Sequence, residues 1–364
     1  MSLDIERAEE TQFPTSTNVD NTKLEDATPP KRKINWLLIA MNVTCVGLGT
    51  IGGPLMVRLY FLHGGSKRWL SSWLQTAGFP ILLGPLSFLY MKHRARGQRF
   101  FAEPKLMIAS AVIGVIIGLD NFMYSHGLSV LPVSTSSLLF STQLAFTAFF
   151  ALIIVRQRFT PYSVNAVVLM TLGSVLLGLR KGGDRPANVS NGEYMVGFII
   201  TIGAAALIGF VLPCVELAYA KASKAITYPV VLQFQLGVTF FATVFSTIGM
   251  IAHKDFSAIS REAKAYTIGE AKYYLVIVWG AILFQLVYIG SLGLVFCTSS
   301  LFTGVVTATL LPLTEIAAVI FFKEKFTGEK GMSLALCLWG FMSYFYGAYI
   351  MERKQRKAQE EEPK

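Results

Sequence analysis

Apolar stretches of about 20 residues recur ten times along this chain, and this recurrence limits the possible folds more than any other feature. An α-helix needs about 20 apolar residues to cross the hydrocarbon core of a bilayer. A soluble protein would have to enclose all of these stretches in one core. We therefore predict ten transmembrane helices, with approximate bounds of 36–57, 69–90, 105–125, 132–155, 162–179, 194–217, 229–252, 273–295, 299–322 and 331–351.

The composition agrees with a membrane protein. Only 15% of the 364 residues are charged and 53% are hydrophobic, whereas soluble domains carry about 25% charged residues. The net charge of +10 comes from short basic clusters between the apolar stretches, at 31–33, 92–99, 156–158 and 353–357. Such clusters are typical of loops beside a bilayer and do not form the basic stripe of a nucleic-acid-binding surface. We expect a lipid bilayer as a partner and no nucleic acid.

The four cysteines are isolated, and no C-x-x-C pair is present. The sequence therefore indicates neither a zinc site nor a disulfide framework, and we expect no metal and no cofactor. The HExxH and GxSxG motifs of hydrolytic enzymes do not occur either. We do not expect an enzyme.

Two short motifs recur in the same order in each half of the chain. The motif TSSL at 135–138 returns at 298–301, and RQRFT at 156–160 is echoed by KEKFT at 323–327. The spacing indicates a duplication of five helices, and an odd number of helices requires the second copy to be inverted in the membrane. We predict an all-α membrane protein, in which ten transmembrane helices form two inverted five-helix repeats around a central cavity.

This division assigns the rest of the chain to linkers and tails. The repeats cover 34–180 and 194–351, joined by a linker at 181–193. The acidic segment 1–33 is expected to be a disordered cytosolic tail, and 352–364 a charged C-terminal tail. The distribution of lysine and arginine favours cytosolic termini, which places the glycosylation motif at 188–190 outside the cell.

Prolines fall inside several apolar stretches, where they remove backbone hydrogen bonds. They are Pro54, Pro80, Pro85, Pro213 and Pro312. Irregular backbone at membrane depth is tolerated where it lines a cavity, so we expect bent or broken helices around a cavity lined by segments 1–4 and 6–9. The alternative, that each proline only bends a packed helix, remains open.

Three carboxylates, Asp120, Glu216 and Glu315, lie within the apolar segments. A charged side chain there costs about 2.5–3.5 kcal/mol even on lenient insertion scales, so each requires a reason. A protonatable carboxylate in a cavity is the usual means of coupling transport to protons. We take all three as candidate proton-coupling residues. The alternative is a structural carboxyl that is hydrogen-bonded to a neighbouring helix.

Uncharged polar side chains at similar depth are the candidates for substrate binding. No lysine or arginine lies at comparable depth, which disfavours phosphorylated substrates. Amides offer the donor and acceptor that match the edge of adenine, aromatic rings stack on planar heterocycles, and hydroxyl stripes recur in both halves. Polar contacts between helices are the competing explanation. The candidates are Trp73, Gln75, Asn121, Tyr124, Ser137, Gln143, Gln235 and Thr303.

Several strings in the chain resemble the plant purine permease family of the drug/metabolite transporter superfamily. They are GGPL at 52–55, RLYF at 58–61, TAGFP at 76–80, DNFMYS at 120–125, LPVSTSS at 131–137 and QLAFTA at 143–148. The resemblance runs in order over nearly the whole chain apart from both tails. It implies ten helices in an inverted five-plus-five repeat and proton-coupled uptake of adenine, cytokinins and related purines.

We therefore expect a secondary active transporter that imports purine nucleobases and derivatives such as cytokinins together with protons. A carrier of alkaloids or of a vitamin-like heterocycle, and a membrane receptor that does not transport, remain alternatives. We expect a multi-pass protein of the plasma membrane, ahead of the vacuolar or endoplasmic reticulum membrane. The sequence leaves the oligomeric state open and is compatible with a monomer.

Overall fold

The computed structural model describes residues 36–95, 102–157, 159–178, 189–222, 226–323 and 328–360. The predicted N-terminal tail lies outside these ranges, as does most of the predicted linker. The described chain is mostly helical and contains no strand. Its helices are α1 (Trp36–Leu62), α2 (Arg68–Thr76), α3 (Leu83–Ala95), α4 (Pro104–Val130), α5 (Val133–Ser141), α6 (Gln143–Ile154), α7 (Pro161–Gly178), α8 (Asn191–Ala220), α9 (Tyr228–Ala252), α10 (Asp255–Ala265), α11 (Glu270–Cys297), α12 (Ser300–Phe322) and α13 (Gly328–Glu360).

Nine helical segments in the described ranges are long and apolar enough to cross a bilayer. The tenth predicted span is also helical, as α7, but its apolar part, Pro161–Gly173, is shorter. Large apolar side chains cover the outer surface, for example Phe321 at 73% exposure and Trp339 at 66%. A soluble protein does not expose apolar patches of this extent, whereas a membrane protein does. The prediction of an all-α membrane protein is confirmed.

The second and fourth predicted spans are each interrupted. The second span consists of α2, a short 3₁₀ turn at Phe79–Leu82 and α3. Pro80 explains this break, because it has no N–H to continue the α-helical pattern. The fourth span bends at Thr142, between α5 and α6, where the Thr142 hydroxyl bonds the Leu139 carbonyl at 2.7 Å. Pro54 and Pro213, in contrast, lie inside the continuous helices α1 and α8.

Helices of the first half pack mainly against helices of the second half. The most extensive pairings are α1 with α11, α7 with α13, and α4 with both α8 and α9. Glycines allow the backbones to approach, since a Cβ atom on Gly49 would collide with the Leu283 carbonyl of α11. A Cβ atom on Gly114 would similarly collide with the Val238 carbonyl of α9. Small residues at such crossings are typical of membrane helix packing.

Helix α10 was not predicted from the sequence, and it lies against the loop that joins α1 to α2. Its Glu262 is buried and accepts hydrogen bonds from Tyr60 Oη at 2.7 Å and from Ser66 Oγ at 2.6 Å. Its Asp255 forms an ion pair with Lys67 at 3.3 Å. We call these five residues the α10 clasp. The clasp joins the α1–α2 loop of the first half to the connection between α9 and α11 of the second half.

Tyr266, just beyond α10, adds a further bond to the same junction. Its hydroxyl donates to the Leu59 carbonyl at 2.9 Å. Burial raises the pKa of Tyr266 to about 12, so the hydroxyl remains a donor across the physiological range.

The last helix is longer than predicted. Helix α13 continues to Glu360, well into the segment 352–364 that we expected to be a charged tail. The residues from 352 to 360 are mostly Glu, Lys, Arg, Gln and Ala, which are strong helix formers. Their intrinsic preference explains why the helix extends beyond its apolar part.

Candidate substrate cavity

An internal cavity lies between helices of both halves, with walls from α1, α2, α4, α5, α6, α8, α11 and α12. Its volume is about 90 Å³, whereas a single water needs about 10–15 Å³. The space therefore holds several waters, or a small heterocycle that displaces them. Its apolar wall is formed by Pro54, Ile117, Phe140, Ile208, Val211, Leu212, Phe284, Val287, Leu292 and Leu311. Its polar wall is formed by Thr50, Gln75, Asp120, Asn121, Tyr124, Gln143, Tyr288, Ser291 and Thr307.

Four side chains in the polar wall have a buried atom without a hydrogen-bond partner in the described chain. These atoms are Thr50 Oγ1, Asp120 Oδ1, Asn121 Nδ2 and Gln143 Nε2. Buried polar atoms in folded proteins are nearly always paired with protein or with ordered water. Four unpaired atoms from α1, α4 and α6 around one space indicate that the cavity takes water or a polar ligand.

A hydrogen-bond network organises the polar wall around Asn121. Gln75 Nε2 donates to the Asn121 backbone carbonyl at 3.1 Å and to Ser125 Oγ at 2.8 Å. Tyr288 Oη donates to Asn121 Oδ1 at 2.7 Å. Helices α2, α4 and α11 are therefore joined at this point by side chains that also border the cavity.

Four aromatic rings border the same space. The rings of Tyr124 and Phe140 lie 4.7 Å apart at an angle of 48°, and Phe284 and Tyr288 also border the cavity. Flat apolar surfaces of this kind suit a planar heterocycle, because ring stacking tolerates different substituents.

The cavity brings together some of the predicted substrate-binding residues. Gln75, Asn121, Tyr124 and Gln143 all line it. The first three come from α2 and α4, which pack against each other. Gln143 begins α6, directly after the bend at Thr142. The interruption of the fourth span therefore places this amide at the cavity wall.

The other four predicted substrate-binding residues lie elsewhere. Trp73 Nε1 donates to Thr247 Oγ1 at 3.0 Å between α2 and α9, and Thr303 bonds the Ser299 carbonyl within its own helix. Ser137 and Gln235 are buried outside the cavity wall. Helix α9, which carries Gln235, does not reach the cavity among the described residues. Its threonine face packs on α2 instead, through a bond of 2.9 Å from Thr243 Oγ1 to Thr76 Oγ1.

The three predicted proton-coupling carboxylates have different surroundings. Asp120 is 3% exposed and lines the cavity. Glu216 is partly buried outside the cavity wall, and its Oε2 accepts a hydrogen bond from the Ser300 backbone N–H at 2.7 Å. The backbone of Glu315 belongs to α12, but its side chain lies outside the described part of the structure.

No lysine or arginine lines the cavity in the described part of the chain. Arg58, near the end of α1, donates to the Leu128 carbonyl of α4 at 3.3 Å. The cavity wall therefore offers no fixed positive charge for a phosphate group.

Sequence reasoning missed Tyr288, Thr50 and Phe140 as cavity residues. Tyr288 was the one that could have been found, because an aromatic hydroxyl inside an apolar segment needs a partner when it is buried.

Comparisons with known proteins identify the family of this chain. A family model described as purine nucleobase transmembrane transport matches residues 37–354. Purine permease 3 of Arabidopsis thaliana is 44% identical over 89% of this chain and 94% of its own length. Purine permease 2 of the same plant is 45% identical over 89% of this chain and 95% of its own length.

A solved crystal structure has a similar fold. It aligns with a TM-score of 0.57 over 87% of this chain and 98% of its own, at 17% sequence identity. The match to the family model covers most of the chain, and two relatives exceed 40% identity over nearly their full lengths. The resemblance read from the sequence is confirmed, and the chain belongs to the family of purine nucleobase transmembrane transporters.

Proposed function

We propose that the protein imports purine nucleobases and N-substituted purines such as cytokinins, coupled to protons. The observation that supports this most is the cavity, which combines unpaired polar atoms with aromatic lining residues and contains no lysine or arginine among its described residues. Neutral purines have ring edges with hydrogen-bonding groups and flat faces for stacking, and they need no cationic partner.

Asp120 is the carboxylate that we assign to proton coupling. It is buried, it lines the cavity, and its Oδ1 has no hydrogen-bond partner in the described chain. A carboxylate with an unpaired oxygen in the cavity wall can bind a proton when the cavity faces the acidic side. A substrate bound beside it then travels with the proton.

The packing of the helices supports alternating access by two inverted repeats. The first span of the first half, α1, packs on the third span of the second half, α11. The first span of the second half, α8, packs on the third span of the first half, α4. Exchange of the two halves thus converts one contact into the other, as a repeat related by a two-fold axis requires. We propose that the halves 34–180 and 194–351 rock about the cavity.

The plasma membrane is the proposed location, because import of purines from outside the cell requires it. We propose cytosolic termini and a monomer as the transport unit. The cavity is formed within one chain, which is sufficient for a monomeric carrier.

The test is uptake into proteoliposomes that contain the purified full-length chain. Labelled adenine and labelled trans-zeatin are supplied outside, at an acidic external pH, with and without a protonophore. We expect accumulation of both compounds that the protonophore abolishes. Uptake that is the same with and without the protonophore would contradict proton coupling. Absence of flux of both compounds would contradict the proposed substrates. Stronger competition by alkaloids than by adenine would favour the alkaloid carrier.

A further inference from the structure

Two side-chain amides in the cavity wall are held in opposite orientations. Gln75 lies on α2 and Asn121 on α4, and the two are bonded to each other, since Gln75 Nε2 donates to the Asn121 backbone carbonyl. An amide offers either its oxygen or its nitrogen to a ligand, and its other hydrogen bonds decide which.

Gln75 is held by its nitrogen. Its Nε2 has two N–H donors, and these are used by the Asn121 carbonyl at 3.1 Å and by Ser125 Oγ at 2.8 Å. Within the described chain no donor reaches Gln75 Oε1. The residue is 2% exposed and lines the cavity. Its oxygen is therefore the group left to bind a ligand, as an acceptor.

Asn121 is held by its oxygen. Tyr288 Oη donates to Asn121 Oδ1 at 2.7 Å. The nitrogen Nδ2 is buried and has no partner in the described structure. Its N–H groups are therefore left to bind a ligand, as donors. Tyr288 itself lies on α11 of the second half, so the orientation of Asn121 depends on a residue from the other half of the protein.

We propose that Tyr288 and Ser125 are positioning residues that fix a donor and an acceptor side by side in the cavity. This inference rests on the proposed function and adds the chemical requirement on the substrate. The ligand must present a ring nitrogen that accepts from Asn121 Nδ2, next to an N–H group that donates to Gln75 Oε1. Adenine has such edges, at its amino group beside N1 or N7 and at N9–H beside N3. A purine in which the N–H groups are fully alkylated has none, and it leaves the Gln75 oxygen unpaired.

The requirement can be tested with adenine analogues that each lack one group. The competitors of labelled adenine uptake are 9-methyladenine and N6,N6-dimethyladenine, which lack an N–H donor, and the 1-, 3- and 7-deazaadenines, which lack one ring acceptor. N6-methyladenine keeps one N–H and controls for added bulk. We expect one donor deletion and the deletion of an adjacent ring nitrogen each to weaken competition by about tenfold or more, because a buried group loses its partner.

Two variants link that selectivity to the positioning residues. In Tyr288→Phe the Asn121 amide is free to rotate, so the penalty for the missing ring nitrogen should fall to about threefold or less. The penalty for the missing N–H should remain. Ser125→Ala removes one of the two bonds that hold Gln75 and leaves the bond to the Asn121 carbonyl. The penalty for the missing N–H should therefore fall in part, while the penalty for the missing ring nitrogen should remain. The matched control is Tyr219→Phe, which removes a buried tyrosine hydroxyl outside the cavity wall and should leave both penalties unchanged.

The outcomes separate this inference from the proposed function. Wild-type protein that transports adenine but accepts all analogues equally would overturn the inference alone. Selectivity that persists unchanged in both Tyr288→Phe and Ser125→Ala would also overturn it. Absence of adenine uptake in correctly inserted wild-type protein would overturn the proposed function instead.

Discussion

Glu216 Oε2 accepts a 2.7 Å hydrogen bond from the backbone N–H of Ser300, the first residue of α12. The first N–H groups of a helix have no partner inside that helix, and a carboxylate beside them also interacts favourably with the helix dipole. Glu216 thus joins the end of α8 to the start of α12. This placement favours the alternative stated for the buried carboxylates, a structural carboxyl that is hydrogen-bonded to a neighbouring helix.

The structural role of Glu216 predicts a loss of stability when its acceptor is removed. Glu216→Ala should lower the free energy of unfolding by about 1 kcal/mol, the usual cost of losing a helix cap. Glu216→Gln keeps an oxygen acceptor and should cost less. Thermal unfolding of the purified protein in detergent measures both. Equal thermal unfolding midpoints for Glu216→Ala and wild type would show that Glu216 does not have this structural role.

Asp120 should determine the pH dependence of transport. Asp120→Asn keeps the shape of the side chain but cannot exchange a proton, so uptake driven by a pH gradient should be lost. A gradient of one pH unit supplies about 1.4 kcal/mol per proton, which corresponds to a tenfold accumulation. Exchange of labelled for unlabelled adenine, which needs no gradient, should persist. Accumulation by Asp120→Asn that still follows the pH gradient would exclude Asp120 as the coupling residue.

Gln143 and Trp73 were both predicted to bind substrate, but their substitution should affect adenine uptake differently. Gln143 lines the cavity, whereas Trp73 bonds Thr247 away from it. Gln143→Leu should raise the KM for adenine by about tenfold, because a bound ring loses a hydrogen-bond partner in a buried site. Trp73→Phe should leave the KM within about twofold of wild type. Initial rates of uptake over a range of adenine concentrations give the KM of each variant. A larger increase in KM for Trp73→Phe than for Gln143→Leu would place the substrate outside this cavity.

The α10 clasp should contribute strongly to stability. Glu262 is 8% exposed and accepts bonds from Tyr60 and Ser66. Glu262→Ala leaves both hydroxyl groups without their charged acceptor and should lower the free energy of unfolding by about 2 kcal/mol or more. Arg261→Ala alters the exposed neighbouring residue and serves as the control. A thermal unfolding midpoint that shifts equally in both variants would show that the clasp is unimportant.

Glycine at the crossing of α1 and α11 should be essential. A Cβ atom on Gly49 would collide with the Leu283 carbonyl and the Val287 side chain. Gly49→Ala should therefore destabilise the protein by about 1–3 kcal/mol through overpacking. Gly84, also helical, has nothing within 4 Å of an added Cβ atom. Gly84→Ala should be neutral or stabilise slightly, because glycine is a poor helix former. The yield of monodisperse protein and its unfolding temperature check both.

Sequence reasoning succeeded where the outcome depends on local composition. The apolar stretches predicted membrane helices, since any segment of that length must satisfy its own backbone in lipid. Bent or broken helices were predicted at five prolines, and at one of them, Pro80, the structure has a 3₁₀ turn. Helix α10 was missed, although its buried positions Asp255, Ala258 and Glu262 follow helical spacing. The prediction of helices relied on apolar stretches, and α10 was missed because its composition is polar.

The sequence by itself determined which segments are helical, which of them are apolar enough for the membrane, and the family to which the chain belongs. These properties follow from residue types and their order. The tertiary structure alone decided that Asn121 meets Tyr288, which lies 167 positions away, and that Gln143 reaches the cavity while Gln235 does not. The physical reason is that helical spacing defines the faces of a helix, but the packing of helices from both halves selects the face that borders the cavity.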